Sequence, residues 1–202
     1  MSWLYQPLLP GAAQLGDSGG EESITAATMI GLYQMITTAS DSFSRPANTT
    51  TYAANDLVAN SATAGSVVPL TFTTSKLGSG RAIVRRVRFF KDSATTTAAV
   101  FNLHLFTQAP TVTNGDNGAF AVNTSRYFIG TVAMDASSGG FVVTSTDLLK
   151  CFAVSPEMNF DLGHVSPSER KLYGLLETGS GGTYAPASGE TFEVTLELAS
   201  VE

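Results

Sequence analysis

The feature that most constrains the fold is a series of short runs in which apolar and polar residues alternate. In the clearest run, "ETFEVTLELA" (190–199), the apolar residues Phe192, Val194, Leu196 and Leu198 occupy every second position. Successive side chains of a β-strand point to opposite faces of the sheet, so this run predicts a strand with one apolar face. A chain made of such strands buries the apolar faces of its sheets against each other.

Seven further runs predict strands, with Gly, Asn, Ser and Pro between them as turn formers. They are SVVPLTFTT (66–74), RAIVRRVRFF (81–90), AAVFNLHLF (98–106), RYFIGTVAM (126–134), GGFVVTS (139–145), KCFAV (150–154) and KLYGLLE (171–177). Strands and helices do not alternate as in parallel α/β folds, and no repeat of fixed period occurs. We therefore predict a mainly β fold, an antiparallel β-sandwich or barrel, with the sandwich preferred and the jelly roll as one candidate form.

The first 36 residues differ from the rest and are predicted to form an N-terminal arm and linker, followed by a β-sandwich domain over residues 37–202. The arm carries large apolar side chains at Trp3, Leu4, Tyr5, Leu8 and Leu9. The nearby prolines fix the backbone and remove donors, so an extended arm is favoured over a helix. The stretch "EESITAATMIGLYQMI" (21–36) has partial helical spacing and predicts one short helix.

Composition excludes several classes of function. Charged residues make up 14% of the chain and the net charge is −6, which argues against general binding to nucleic acid or to an anionic membrane. No apolar run approaches the roughly 20 residues of a membrane-spanning helix, and the start has no basic signal-peptide region. The single cysteine, Cys151, allows no intrachain disulfide and is expected to be a small buried hydrophobe. We expect a soluble protein made in the cytoplasm.

No pattern of residues predicts catalysis, a metal site or a cofactor. His104 and His164 are the only histidines, and His104, in the predicted strand "FNLHLF", is expected to be a satisfied histidine on the sheet surface. The loop "TNGDNGAF" places Asp116 between Asn-Gly pairs, which favour turns. A calcium site there stays an open alternative, although the loop offers a single carboxylate. We expect the protein not to be an enzyme.

Basic charge is concentrated in the run 81–90. The arginines are Arg81, Arg85, Arg86 and Arg88. A nucleic-acid-binding stripe is one interpretation, but the negative charge of the whole chain favours another. We expect cross-strand pairing with Glu193 and Glu197 on the polar face of the last strand, or contact with an acidic protein partner.

Four segments resemble a family of small virion-associated proteins that tailed bacteriophages encode among their head genes. The segments are SFSRPANTTTYAANDLVAN (42–60), GRAIVRRVRFFKDS (80–93), FNLHLFTQAPTVTNGDNGAF (101–120) and KLYGLLETGSGGTYAPASGETFEVTLEL (171–198). The resemblance implies a β-sandwich building block of the particle, a capsid decoration or cement protein. Its partner would be the major capsid protein and its location the capsid surface, after synthesis in the bacterial host cytoplasm. No catalytic residues come with this family.

The arm lies outside the matching segments, so its role is argued from physics. Burying its five large side chains yields about 1.5–3 kcal/mol each. Ordering about ten backbone residues costs roughly 1–2 kcal/mol apiece, so the two sums nearly cancel. We therefore expect the arm to be loose in the free protomer and ordered when it docks on the capsid. Folding back onto its own sandwich is the alternative. A homotrimer is the preferred assembly.

Two other functions remain open at this stage. A receptor- or carbohydrate-binding module of a head fibre or tail would present exposed aromatic side chains near loop tips, and Phe120, Tyr127 and Tyr184 are the candidates. A hydrolase on a β scaffold would have to use His104 or His164.

Overall fold

The computed structural model describes residues 36–74, 77, 81–93, 100–123, 126–137, 141–142, 147–161, 170–180 and 183–201, with backbone only for 141, 142 and 201. All of them lie in the second of two compact units, Gln34–Glu202. The arm residues Trp3, Leu4, Tyr5, Leu8 and Leu9 lie outside the described residues, as does the predicted short helix except for its last residue. The arm, the helix and the domain boundary therefore stay predictions.

Ten β-strands make up nearly all the regular structure of the described residues. They are β1 (Ile36–Ser44), β2 (Leu57–Val58), β3 (Leu70–Thr73), β4 (Arg81–Lys91), β5 (Val100–Phe106), β6 (Phe128–Asp135), β7 (Phe141–Val142), β8 (Leu148–Asp161), β9 (Lys171–Thr178) and β10 (Thr191–Val201). A single turn of 3-10 helix spans Ala64–Ser66. Within the described segments, no helix has the length and apolar character needed to cross a bilayer.

The strands form two antiparallel sheets. Sheet one has the order β1-β10-β4-β8-β7, and sheet two has the order β2-β9-β5-β6 with β3 also paired to β9. The pairs are nested: β1 with β10, β3 with β9, β4 with β8, and β5 with β6. Such a ribbon of paired strands, rolled so that successive pairs alternate between two sheets, is a jelly roll. The β-sandwich prediction is confirmed, and the strand order gives it this form.

The core lies between the sheets and is centred on aromatic rings. Phe89 of β4, Phe101 of β5 and Phe192 of β10 are fully buried, and their ring centroids lie 5.2 to 5.9 Å apart. Because β4 and β10 belong to sheet one and β5 to sheet two, these contacts join the sheets. Phe101 also meets the ring of Tyr184 edge-on at 5.1 Å.

All eight predicted runs contain a strand, but three features of the strands differ from expectation. The two-residue strand β2 lies outside these runs. The first strand, β1, was not predicted, because "ITTASDSFS" is rich in small polar residues and buries only Ala39 well. It pairs along its whole length with the apolar strand β10. Strand β8 extends beyond the predicted 150–154 to Asp161, passing through Pro156.

The outer faces of the two sheets differ. A second apolar cluster lies on the outer face of sheet two, where Leu57 of β2 and Val112 of the β5–β6 connection pack with Phe106 of β5 and Leu175 of β9. The covering chain comes from residues 59–67 and 107–123. Sheet one presents an outer face of polar residues and arginines, with Arg86 and Arg88 exposed. Among the described residues, sheet two is therefore packed on both faces, and sheet one on its inner face alone.

Replacing Phe101 by alanine should lower the free energy of unfolding by about 3–5 kcal/mol, because it removes a ring that touches both sheets. Phe128 is 46% exposed on β6, and its replacement by alanine should cost less than about 1 kcal/mol. Denaturant unfolding of both variants measures the difference. Equal losses would contradict this description of the core.

Candidate functional sites

The Asp116 carboxylate lies inside the protein, bound to groups of the chain itself. Its Oδ2 is 3.2 Å from Nη2 of Arg45, and both side chains are almost fully buried. Its Oδ1 accepts hydrogen bonds from the Tyr52 hydroxyl at 2.5 Å and from the Ala59 backbone N–H at 2.9 Å. The carboxylate thus has a guanidinium as its counter-ion and further donors on its other oxygen.

Turn chemistry brings Asp116 to this position. Asn117 has a positive φ of 62°, the left-handed conformation that asparagine tolerates. At Gly115, a Cβ atom would lie 2.0 Å from the carbonyl oxygen of Ala62, so only glycine fits against the neighbouring segment. The turn interpretation is confirmed. Among the described residues, no group of three His, Cys, Asp or Glu side chains is arranged to hold a metal ion.

A second buried ion pair forms close by, between Lys91 at the end of β4 and Glu190 just before β10. Nζ of Lys91 lies 2.6 Å from Oε1 of Glu190, and neither side chain is exposed. The same Nζ donates to the hydroxyl oxygen of Tyr184 at 3.0 Å, and that hydroxyl donates to Oε2 of Glu190. Burial lowers the pKa of Lys91 against the opposing effect of Glu190, and burial raises the pKa of Tyr184.

The two ion pairs are parts of one assembly, which we call the polar cluster. Its members are Arg45, Tyr52, Lys91, Asp116, Tyr184 and Glu190. The rings of Tyr52 and Tyr184 are stacked with centroids 6.0 Å apart, and the backbone N–H of Arg45 donates to the carbonyl of Glu190. Two cations face two anions, so the cluster is neutral. It ties the residues after β1, the turn around Asp116 and the junction of β4 with β10 to one another.

His104 lies on the outer face of sheet two and is bonded on both sides of its ring. Its Nε2 is 2.8 Å from Glu177, and its Nδ1 is 2.8 Å from the hydroxyl of Thr131. Phe120 stacks on the imidazole with centroids 4.4 Å apart, and Asn102 donates to the same oxygen of Glu177. The predicted satisfied histidine is confirmed. The order hydroxyl, imidazole, carboxylate is that of a hydrolase triad. Here the three side chains come from β6, β5 and β9 and link neighbouring strands of sheet two, while the ring of Phe120 joins the covering segment to the imidazole.

The expected pairing of the basic strand β4 with the last strand is found for one of the two glutamates, and Arg85 instead lies 3.8 Å from Glu157 of β8. Arg86 lies 3.8 Å from Glu197 across the β4–β10 pair, which confirms that part of the prediction. Glu193, by contrast, stands opposite Phe90 in the register. Arg88 donates to the Thr195 hydroxyl at 3.2 Å.

Two predictions about individual side chains are wrong. Cys151 is exposed instead of buried, because the alternation along β8 turns Phe152 inward and places Cys151 on the outer face, opposite Arg88. Tyr184 is buried in the polar cluster instead of presented at a loop tip. The other two aromatic candidates are half-buried: Phe120 stacks on His104, and Tyr127 lies beneath the guanidinium of Arg126. His164 lies outside the described residues.

A groove of about 480 Å³ runs between β6 and β8. Residues 129–133 and 153–159 line it. Strand β6 is the last strand of sheet two among the described residues, and the pairing of β8 with β4 shifts register beside the groove, between Val84 and Arg86. The edge of β6 and the displaced part of β8 thus leave room at this side of the sandwich.

The chain matches no protein-family model, and a search of curated proteins finds no match. Among solved structures it is similar to "Structure of Triatoma Virus (TrV)", at 14% sequence identity and a TM-score of 0.25. That alignment covers 93% of this chain and 72% of the other. At this TM-score the fold assignment rests on the strand order alone.

Replacing Asp116 by asparagine should lower the free energy of unfolding by about 3–5 kcal/mol, because it leaves the Arg45 guanidinium buried without a counter-ion. The matched control is Glu197→Gln, which removes a pair whose side chains are 57% and 28% exposed and should cost less than about 1 kcal/mol. Urea unfolding at neutral pH measures both. A loss no larger for Asp116→Asn than for the control would refute the role of the polar cluster.

Tyr52 should make stability fall in alkali. Burial and the Asp116 carboxylate raise the pKa of Tyr52 far above its ordinary value, whereas the same phenol ionises near pH 10 in the unfolded chain. Above about pH 10 the unfolded state therefore binds fewer protons at this residue, and the contribution of Tyr52 alone lowers the free energy of unfolding by up to about 1.4 kcal/mol per pH unit.

The variant Tyr52→Phe lacks this proton and keeps every other titrating group. Its free energy of unfolding should be lower than that of the unmodified protein at neutral pH. The difference between the two free energies should narrow as the pH rises above about 10. Denaturant unfolding at several alkaline pH values measures this difference. A constant difference would show that Tyr52 ionises equally in both states.

Proposed function

We propose that this protein is a non-enzymatic structural component of a bacteriophage virion, a capsid decoration or cement protein. It binds the outer surface of the major capsid lattice through its N-terminal arm, and the jelly roll lies on the surface as a rigid body. Neighbouring copies, preferably grouped as homotrimers, reinforce the shell against the pressure of the packaged DNA.

The observation that carries the proposal is that four charged side chains are buried as ion pairs within the domain. Two buried ion pairs lie inside the sandwich, Arg45 with Asp116 and Lys91 with Glu190, so these charges contact one another instead of a ligand or solvent. Buried ion pairs with one acceptable geometry are a means of specifying shape, and breaking one is costly. Buried ion pairs that favour one shape suit a building block that must fit a repeating lattice.

The fold supports the proposal only together with the sequence. Jelly rolls occur in viral capsid proteins, in lectins and in cupins, so the architecture alone does not select a function. The resemblance to virion-associated phage proteins spans most of residues 37–199 and selects among these classes. The lectin-like alternative is weakened, because Tyr184 is buried and Phe120 is engaged with His104.

Attachment through the arm depends on many copies of the protein binding the same lattice. The gain from burying its five apolar side chains and the cost of ordering its backbone are similar, so one arm binds weakly. Many copies on one lattice raise the effective concentration of each arm near its site, and avidity holds the layer in place.

Deleting residues 1–16 should abolish incorporation of the protein into particles that lack it. The double substitution Trp3→Asp with Leu8→Asp should weaken binding at least about 100-fold, since each lost burial is worth about 1.5–3 kcal/mol. The matched control is Val68→Asp, a change at an apolar side chain that is 65% exposed on the sandwich. Quantitative gel analysis of purified particles measures occupancy.

The control should incorporate like the unmodified protein. Undiminished incorporation of the truncated chain would show that the arm is not the anchor. An equal loss of occupancy in Val68→Asp and in the arm variant would show that the sandwich itself contacts the capsid and that the arm is not the specific anchor.

A further inference from the structure

We propose that Lys91 and Glu190 join covalently, by an amide bond between Nζ of the lysine and the side-chain carboxyl carbon of the glutamate. This modification lies beyond the proposed function and does not depend on it. The bond links the end of β4 to the residue that precedes β10, inside sheet one.

The reacting groups are already in contact. Nζ of Lys91 lies 2.6 Å from Oε1 of Glu190, so the carboxyl carbon is one bond further away. Both side chains are fully buried, and the ring of Tyr184, whose hydroxyl contacts both, meets the core ring of Phe101 edge-on. Holding two reactants in contact in a fixed orientation replaces a bimolecular encounter by an effectively unimolecular step.

The other half of the polar cluster shows what is special about this pair. Arg45 with Asp116 has the same arrangement, a buried cation, a carboxylate and a tyrosine hydroxyl between them. Arginine stays protonated in proteins and has no nucleophilic amine, whereas burial lowers the pKa of a lysine amine, which is nucleophilic once it is neutral. Of these two pairs, only Lys91 with Glu190 has the groups required for an amide.

The reaction balances without another reagent. Lys91 transfers a proton to the Glu190 carboxylate, which gives a neutral amine and a neutral acid. The amine nitrogen attacks the carboxyl carbon, a C–N bond forms and a C–O bond breaks. One carboxyl oxygen leaves with two protons as water, and no electrons are exchanged with any other group.

The surroundings favour the neutral reactants and supply a proton donor. Burial lowers the pKa of Lys91, which favours the uncharged amine. The Tyr184 hydroxyl donates to Oε2 of Glu190 and also lies 3.0 Å from Nζ, so it contacts both reacting groups. A hydroxyl at this position polarises the carboxyl group and can stabilise the oxygen that gains charge during attack.

The bond would close a loop between residues 99 positions apart. Strands β4 and β10 are hydrogen-bonded neighbours in sheet one, so the link adds a covalent tie to a pair already in register. Unfolding by heat or denaturant would then leave the two strands joined.

The test is the intact mass of the purified full-length chain under denaturing conditions. The expected mass is lighter by one water molecule than the mass calculated from the sequence, and a protease digest should contain one branched peptide that joins Lys91 to Glu190. An intact mass equal to the calculated value, with both unlinked peptides in the digest, overturns the proposal.

Three variants separate this bond from other losses of water. Lys91→Arg keeps the cation but should show the full calculated mass. In Glu190→Gln the side-chain carbonyl carries an amide nitrogen in place of the second oxygen. Any link that forms there should therefore release ammonia instead of water. Tyr184→Phe should slow formation, seen as a larger unlinked fraction soon after synthesis.

Loss of water that persists in Lys91→Arg would place the reaction elsewhere in the chain and overturn the assignment. Should a variant fail to fold, the branched peptide of the unmodified protein decides the question by itself, since its presence or absence needs no comparison.

Discussion

The structure depends on the requirement that charges buried at one end of the sandwich be paired there. Arg45 and Lys91 are removed from water, and each is held by a carboxylate at hydrogen-bonding distance. An unpaired charge in that position would cost several kcal/mol, a large part of the stability of a single domain. The polar cluster therefore permits only the arrangement in which four distant parts of the chain meet.

Two kinds of order are combined in this way. Apolar burial between the sheets is strong but does not depend on direction, and it would tolerate small displacements of strands and loops. The polar cluster adds bonds that work in one geometry, and it lies where the turn around Asp116 meets the start of β10. A second set of directional bonds, centred on His104, links β5 to β9 and to β6 within sheet two, and the stacked ring of Phe120 joins the covering segment to it. The sandwich is consequently held as a single shape.

This distribution bears on what the molecule can do in an assembly. A component that occupies many equivalent positions must present the same surface each time, and a rigid sandwich satisfies that need. The polar outer face of sheet one and the groove beside β6 are the surfaces such a body offers. Under the proposed function, the large apolar side chains of the arm would provide the attachment to a partner.

The sequence by itself determined the fold class and most strands, because alternation such as that of β10 is a local property of the chain. It also indicated that Asp116 lies in a turn and that His104 is satisfied on the sheet. Tertiary structure alone decided that β1 is a strand, since its small polar residues gain their partner from β10, nearly the length of the chain away. It likewise decided that Tyr184 and Lys91 are buried and that Cys151 is exposed. The two buried ion pairs join residues 71 and 99 positions apart, and such pairs leave no periodic signal. Which face of a strand looks inward is set by the sheet that packs on it.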